Sequence, residues 1–418
     1  MSGLAVVARA LGAQVTGSDR AESSYTERLR EHGIQPVIGH AAANVPSGAE
    51  VVYSTAVPPD NAERMAAVGP ELHRADLLAQ IAALRRCLAI TGTHGKTTTA
   101  GMLVQALSGA GLDPSYLIGG EMRSAGLNAG WGTGEWIVVE ADESDRSLLK
   151  LSPEVAVLTS MELDHHTTYA STLELEETLR EFMGRAQVAI AWDRPAVLRL
   201  CPPGAVPYDA PEPILSVDGS RFQWRGIEVS LRVPGAHNAI NAAAALEAAA
   251  VAGADPDSAA AALHDYEGAR RRFEPLGHSL TGAALYDDYA HHPTEVAAAI
   301  AAARTLRPTR LVAVFQPHLY SRTAALARDF GRALARADVA VVLDVYPARE
   351  RREDFPGVDG RLVALAAADA AHGRQVTWLP GFEEARPFLE ASLRDGDLCL
   401  LMGAGNIDAL GRSLVREG

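Results

Sequence analysis

Nine residues, Thr91-Gly-Thr-His-Gly-Lys-Thr-Thr-Thr99, bring together two glycines, one lysine and a run of hydroxyls. An apolar run, Cys87–Ile90, precedes them, and Met102, Leu103, Ala106, Leu107 and Ala110 follow at helical spacing. A strand, glycine turn and helix in that order aim backbone N–H groups and a helix N-terminus at one point, which suits a polyphosphate. Gly92 and Gly95 let the backbone approach the anion where a Cβ would clash. Thr93, His94 and Thr98 complete the loop. Lys96 can reach the β/γ-phosphates, and the Thr97 hydroxyl is placed to ligate Mg²⁺. The usual loop, G-x-x-x-x-G-K-S/T, would carry Gly at position 90, where this chain has Ile90. The reading is therefore a shorter variant, G-T-H-G-K-T; the plain alternative is an ordinary turn, since a bare G-K-T arises by chance.

Two acidic runs stand where strands should end. Ile137-Val-Val leads into Glu140-Ala-Asp-Glu-Ser-Asp145, and Ala156-Val-Leu-Thr159 leads to Glu162-Leu-Asp-His-His166. In an open α/β sheet the ligand lies outside the C-terminal ends of the strands, so both runs would stand beside the phosphate loop. A hard cation bridging phosphates takes carboxylate and hydroxyl oxygens, and His can complete its shell. Either run alone reads more simply as a solvated acidic turn or a core histidine at His165; together, beside one G-K-T, they favour metal work. His237, Asn238 and Asn241 open a helix after Pro234-Gly235. Asn238 can cap it, and the amides could bind a base edge. Arg270-Arg-Arg272 reads equally as a solvated basic patch or as a γ-phosphate clamp. Tyr286-Asp-Asp-Tyr-Ala-His-His-Pro-Thr294 and Gln316-Pro-His-Leu-Tyr-Ser-Arg322 each follow an apolar strand. Such polar runs offer a core no packing, which favours function.

The elements that must hold these groups alternate strand and helix. Residues 1–85 read as a doubly wound α/β unit: a helix over Leu4–Leu11 closed by Gly12, a strand Gln14–Thr16 ending in Gly17-Ser18-Asp19, and a strand Glu50–Ser54. Strands near Trp136–Glu140, Val155–Thr159 and Val188–Ala191 surround the phosphate loop, short strands fill 203–235, and a helix spans Asn238–Ala252. Strands Arg310–Phe315, Val339–Val345 and Leu398–Met402 build a third unit. With 418 residues the chain is too long for one core, and the expected domains are 1–85, 86–275 and 276–418. The hydrophobic fraction of 48% and charged fraction of 22% are ordinary for a soluble globular protein. A net charge of −14 disfavours a general nucleic-acid binder. Three well-separated cysteines, Cys87, Cys201 and Cys399, indicate neither a disulfide framework nor a cysteine metal site. No apolar run suits a membrane span and the N-terminus is a poor signal peptide, so the cytoplasm is the expected location.

Taken in order, GTHGKTTT, EADESD, TSMELDHH, PGAHNAINA, RRRF, DDYAHHPTEV, FQPHLYSRT, LDVYPARE and MGAGNI closely resemble the Mur ligase family of peptidoglycan synthesis, and within it the branch that joins L-alanine to UDP-N-acetylmuramate. The resemblance spans almost the whole chain. It implies an α/β protein of three domains: a Rossmann-like UDP-sugar domain, a central P-loop-type ATPase and a C-terminal Rossmann-like amino-acid domain. Ser18, Asp19 and Ser54 become substrate-binding residues of the first. ATP and Mg²⁺ are the implied cofactors, with Lys96 catalytic and Thr97, Glu140 and His165 as metal ligands. Asn238, Asn241 and Arg272 would contact ATP, with Asp288 near the ribose. Tyr289, His291 and Arg322 would form the alanine pocket, and His291 is the candidate base for the ammonium group. No nucleic acid or membrane partner is implied, and a monomer or homodimer is expected.

Two departures from the family stand out. Many relatives carry P-H-R where this chain has Pro317-His-Leu319, so Arg322 must hold the alanine carboxylate with less help, or with Arg349 assisting. Ser160 stands where relatives often have Asn. Alternatives are a sister ligase that attaches a recycled tripeptide to the same sugar, and a non-catalytic nucleotide-binding regulator. A dinucleotide-type unit also needs a strand and glycine turn ahead of its first helix. The expectation is that the chain opens one strand and turn late, so that its first domain is poorly ordered and binds UDP-sugar weakly, while ATP binding survives.

Overall fold

The computed structural model describes residues 1–164 and 168–416; His165, one of the three expected metal ligands, lies outside them. The chain divides into two compact units that interleave in sequence: Met1–Met161 with Leu173–Tyr208 and Ala244–Ala262, and Glu162–Thr172 with Asp209–Ala243 and Leu263–Gly418. Among the described residues no helix is long and apolar enough to cross a membrane.

The first unit is built on a seven-stranded sheet. In spatial order its strands are Val206–Tyr208, Val188–Trp192, Val155–Leu158, Arg86–Thr91, Trp136–Glu140, Ser115–Met122 and Leu127–Gly130. All neighbours are parallel except the last pair. Leu88, Ala89, Ile90, Ile137, Val138, Val139 and Val155–Leu158 have no exposed surface, which is why these strands read as unbroken apolar runs: helices cover both faces. Register then does the positioning. Ile90 pairs with Glu140 and Thr91 with Leu158, so Glu140 and Thr159-Ser160 stand level with the start of the phosphate loop.

Residues 1–85 form two separate parallel pairs: Gly17–Asp19 with Pro36–Ile38, and Val51–Tyr53 with Glu71–His73. The strand expected at Gln14–Thr16 is a correction: it runs instead over Gly17–Asp19, the residues expected as its closing turn. Only these find a partner, with Gly17 opposite Pro36 and Asp19 opposite Ile38. The first helix, Ser2–Ala10, ends before Gly12 at φ +95°, the left-handed turn glycine permits.

The second unit carries a three-stranded antiparallel sheet, Ile214–Ser216, Gly219–Trp224 and Ile227–Leu231, and a six-stranded sheet. The latter runs Glu274–His278, Ala284–Asp288, Asp397–Met402, Arg310–Phe315, Val339–Val342, Gln375–Trp378, parallel but for its first strand. Side chains alternate along it. Leu311, Ala313 and Phe315 face helices Pro293–Thr305, Tyr320–Leu334 and Gly360–Ala370, while Val312 and Val314 face Phe382–Ser392 and Ile407–Leu414. The loops that follow strands Ala284–Asp288 and Arg310–Phe315 therefore leave the same, C-terminal, edge of one sheet, where such folds bind ligands.

Candidate functional site

In the first unit the loop after Arg86–Thr91 holds a shape that only glycine permits at two points. Gly92 has φ +124°, and a Cβ there would lie 2.3 Å from Thr159 Oγ1; Gly95, at φ +83°, precedes helix Lys96–Gly109. The neighbouring strand end ties the loop down. Thr93 N–H donates to Ser160 O at 3.3 Å, and His94 N–H donates to Ser160 Oγ at 2.8 Å. The Thr159 hydroxyl donates to His94 O at 2.6 Å. Ser160 thus serves as a hydrogen-bonding brace for the glycine loop.

Lys96 and Thr97 open the helix. The Lys96 ammonium donates to Gly92 O at 2.6 Å and Thr93 O at 3.2 Å, and pairs with Glu143 at 2.8 Å, whose side chain is 1% exposed. Burial alone would lower the Lys96 pKa, but Glu143, Asp142 and Glu140 outweigh it and hold the group above its ordinary value. Lys96 is therefore a fixed cation. The Thr97 hydroxyl lies 3.1 and 3.0 Å from the two Glu140 oxygens, and Gly119 N–H donates to Glu140 at 2.7 Å. Thr97 and Glu140, two of the three expected metal ligands, are thus side by side; their hydroxyl and carboxylate oxygens are the donor set a hard cation prefers. Among the expected substrate residues, the Ser18 hydroxyl donates to Glu63 at 2.5 Å and lies 2.9 Å from His40 Nδ1. Asp19 accepts from Ala21 N–H, and Ser54 follows strand Val51–Tyr53.

In the second unit the polar runs after two strands meet in one cluster. Arg322, in the first turn of helix Tyr320–Leu334, donates through Nε to Asp164 at 2.6 Å, and both side chains are 3% exposed. Its Nη1 lies 3.1 Å from His318 Nδ1. Burial, then the charges of Arg322 and His291, push the His318 pKa down to about 3, which keeps its ring neutral and Nδ1 an acceptor. His291 Nε2 stands 3.5 Å from Asp164 Oδ2, and His291 Nδ1 lies 2.9 Å from Tyr289 O. The Tyr289 and His291 rings meet edge-on at 5.3 Å. Tyr289, His291 and Arg322 are thus brought together, as one side of the cluster. The sequence pattern assigns no role to Asp164 in the run Glu162-Leu-Asp-His-His, yet its side chain meets both Arg322 and His291. Leu319 is buried with φ +69°.

The expected nucleotide contacts of this unit lie along a second line. Asn238 sits inside helix Ala236–Val251 rather than capping it, because the helix starts directly after Gly235 at φ +98°; the Asn238 amide donates to Pro234 O at 2.7 Å. Asn241 is one turn on, 3.5 Å from the Asn238 amide oxygen. Burial lowers the His237 pKa to about 4. Arg272 approaches Glu295 at 3.9 Å and stacks near the Tyr289 ring. Asp288 accepts N–H groups from Phe273 and Ala290 at 2.8 and 2.7 Å, and burial pushes its carboxyl up to about 6. The neighbouring Arg271 braces the fold, donating to Asp287, Gly403 O and Gly405 O.

Residues 1–86 match the pattern "Mur ligase family, catalytic domain", and residues 271–405 match "Mur ligase, glutamate ligase domain". The chain is 41% identical over 439 residues to a UDP-N-acetylmuramate–L-alanine ligase of Acidithiobacillus ferrooxidans, across 98% of this chain and 94% of that one. It is 40% identical over 443 residues to the enzyme of that name from Streptomyces griseus, across 99% and 94%. The UDP-N-acetylmuramate–alanine ligase of Thermotoga maritima has the same fold, with a TM-score of 0.84 at 26% identity over 99% and 95% of the two chains. A murein peptide ligase of Psychrobacter arcticus shares the fold at a TM-score of 0.71 and 23% identity, over 99% and 95%. With likeness at this level along nearly its whole length, the chain belongs to the Mur ligase family of ATP-dependent, amide-bond-forming enzymes.

Proposed function

We propose that this Mur ligase joins L-alanine to the carboxylate of UDP-N-acetylmuramate, driven by ATP, in peptidoglycan precursor synthesis. The observation that carries the reading is the group of Lys96, Thr97 and Glu140 at the head of one helix, set on a glycine loop braced by Ser160. A carboxylate is a poor acyl donor because its leaving group would be oxide. Transfer of the γ-phosphoryl group of ATP to it gives an acyl phosphate and ADP. The alanine amine then attacks the acyl carbon, and inorganic phosphate leaves with the bonding electron pair. Lys96, held cationic by its acidic neighbours, offsets charge on the transferring group. Thr97 and Glu140, with His165, would hold Mg²⁺, which supplies further charge neutralisation when bound.

His237, Asn238, Asn241, Arg272 and Asp288 are proposed nucleotide contacts. Ser18, Asp19 and Ser54 are proposed UDP-sugar contacts, and Tyr289, His291 and Arg322 proposed alanine contacts. Domain limits at 85/86 and 275/276, and a cytoplasmic location where ATP and UDP-sugars occur, complete the proposal.

The test is phosphate release with ATP and UDP-N-acetylmuramate, comparing L-alanine, the murein tripeptide and no acceptor. Release with L-alanine alone is expected. Preference for the tripeptide would replace this reading by the sister ligase, and no release with either would indicate a nucleotide-binding regulator.

A further inference from the structure

Two runs, Leu343-Asp-Val-Tyr-Pro-Ala-Arg-Glu350 and Met402-Gly-Ala-Gly-Asn-Ile407, take no part in the reaction as described, yet both lie around the turn 317–322 that carries Arg322. Strands Arg310–Phe315 and Val339–Val342 pair side by side, part, and meet once more at a parallel bridge of His318 with Tyr346. Tyr346 N–H donates to Pro317 O at 2.8 Å, and Leu319 N–H donates to Tyr346 O at 3.0 Å. The Tyr346 ring stacks on His318, with 5.9 Å between centroids and 12° between planes. Gly405 makes room for that ring: a Cβ there would lie 2.6 Å from Tyr346 Cγ and 2.5 Å from Gln316 Oε1.

These contacts hold a turn that would not keep its shape alone. Leu319, between His318 and helix Tyr320–Leu334, has φ +69° and ψ 132°. Side chains seldom adopt that conformation, and it persists where the surroundings over-determine it. Leu319 is also the N-cap of the helix, and a hydrocarbon side chain cannot accept an N–H. The cap comes from the neighbouring loop. Glu350, 29 positions further on, accepts the Ser321 N–H at 3.0 Å and the Ser321 hydroxyl at 2.5 Å. A carboxylate there meets the free donors and the positive end of the helix dipole. Glu350 is itself set by a tight turn, its N–H donating to Pro347 O at 2.9 Å with Ala348 at φ +50°. Arg322 follows Ser321 directly, and its Nη1 lies 3.1 Å from His318 Nδ1. Leu319 thus joins the two groups, and a different backbone there would move one relative to the other.

Resting on the reading of Arg322 as the residue that takes the acceptor's carboxylate, we propose that Glu350 is a positioning residue for the acceptor site. It caps helix Tyr320–Leu334 from the neighbouring loop. With the Tyr346 bridge it keeps Leu319 in its left-handed turn, so that Arg322 and His318 are presented in one fixed geometry. The amino acid then meets a site already ordered, and binding does not have to order it.

The full chain is assayed with ATP, Mg²⁺ and UDP-N-acetylmuramate, and amide exchange is followed separately by mass spectrometry without substrates. In Glu350→Ala the KM for L-alanine is expected to rise roughly ten- to hundredfold, the scale on which a misplaced binding group acts. The kcat at saturating L-alanine, and the KM values for ATP and the UDP-sugar, should stay within about threefold. Exchange in the peptide spanning residues 316–324 should quicken about tenfold or more, while strand Arg310–Phe315 keeps its protection. Glu350→Gln, which keeps an acceptor oxygen but not the charge, should show the same changes at smaller size. Strain gives a second arm. In Leu319→Gly the turn suits the residue, whereas in Leu319→Ala the Cβ still opposes it. Adding Glu350→Ala should therefore raise the alanine KM by a smaller factor in the Leu319→Gly background than in the Leu319→Ala background. Equal factors would mean that Glu350 does not hold the turn, and the proposal would fail. Unchanged exchange in 316–324 would overturn it too, as would ATP and alanine constants that move together at an unchanged Tm. Faster exchange with an unchanged alanine KM would leave Glu350 a cap and nothing more, against the positioning role. A parent chain that releases no phosphate with L-alanine would count against the ligase reading itself, on which the exchange result does not depend.

Discussion

Lys96 must stay charged in a partly buried place, and Glu143, Asp142 and Glu140 make that possible. Lys96→Ala should abolish ligation while UDP-sugar affinity, measured by calorimetry, stays nearly intact; turnover within a few fold of the parent would sink the nucleotide assignment. Glu140 touches Thr97 and Gly119, both beside the phosphate loop's sheet. Glu140→Gln should therefore raise the Mg²⁺ concentration for half-maximal rate about tenfold or more, as expected when a hard cation loses a carboxylate ligand, with little change in the alanine titration. Equal shifts in both titrations would remove Glu140 from the metal site. His237 gives a pH signature. Burial holds its pKa at about 4 against an ordinary 6.5. Between those values the unfolded chain binds a proton that the native state does not, so this residue makes stability fall as pH drops through that window. Asp288 acts oppositely: its native pKa of about 6 exceeds the ordinary 3.8, so its contribution is lost as pH rises through about 6. The informative measurement is the difference between parent and His237→Gln. Tm of the variant should decline less steeply from about pH 6.5 to about 4.5, the window in which the buried ring resists its proton, and identical slopes would mean His237 titrates normally.

At the scale of elements, the site depends on close helix crossings that only small residues allow. Helix Tyr320–Leu334 carries Arg322 in its first turn and crosses helix Gly360–Ala370 at Gly331. A Cβ on Gly331 would lie 2.5 Å from the Ala366 carbonyl carbon and 2.6 Å from its oxygen. Backbone cannot rotate away as a side chain can, so Gly331→Ala should destabilise the protein by about 1–3 kcal/mol, as overpacking usually does. The expected readout is a lower Tm together with a higher KM for L-alanine. An unchanged Tm would show that the helices part without cost. Most of these elements are legible in the sequence. Trp136–Glu140 and Arg310–Phe315 have the bounds expected of them, and Val155–Leu158 is one residue shorter. Buried parallel strands are short apolar runs closed by polar turns, a signal contained in the run itself. The exposed, marginal pair at Gly17–Asp19 is not, because its bounds depend on the register chosen by Pro36–Ile38.

For the whole molecule, the net charge of −14 opposes the approach of two anionic substrates, ATP and the UDP-sugar. Screening should help them: kcat/KM for UDP-N-acetylmuramate at fixed free Mg²⁺ should rise as the Debye length shortens from about 30 Å at 0.01 M salt to about 8 Å at 0.15 M. A steep fall over that range would instead reveal a local positive field that governs capture. The sequence by itself determined the glycine loop at the head of its helix, the strand ends that flank it and the family, because each is written in contiguous residues whose types have few other uses. Tertiary structure decided the partnerships. It brings Asp164 to Arg322 across 158 positions, and it groups Glu162–Thr172 and Asp209–Ala243 with the C-terminal sheet although they lie amid the first unit's chain. It gives Ser160 its place as the loop's brace. No local pattern encodes such pairings. A buried charge finds its counter-charge only when the fold has removed water from both, so the identity of that partner is a property of the packed chain.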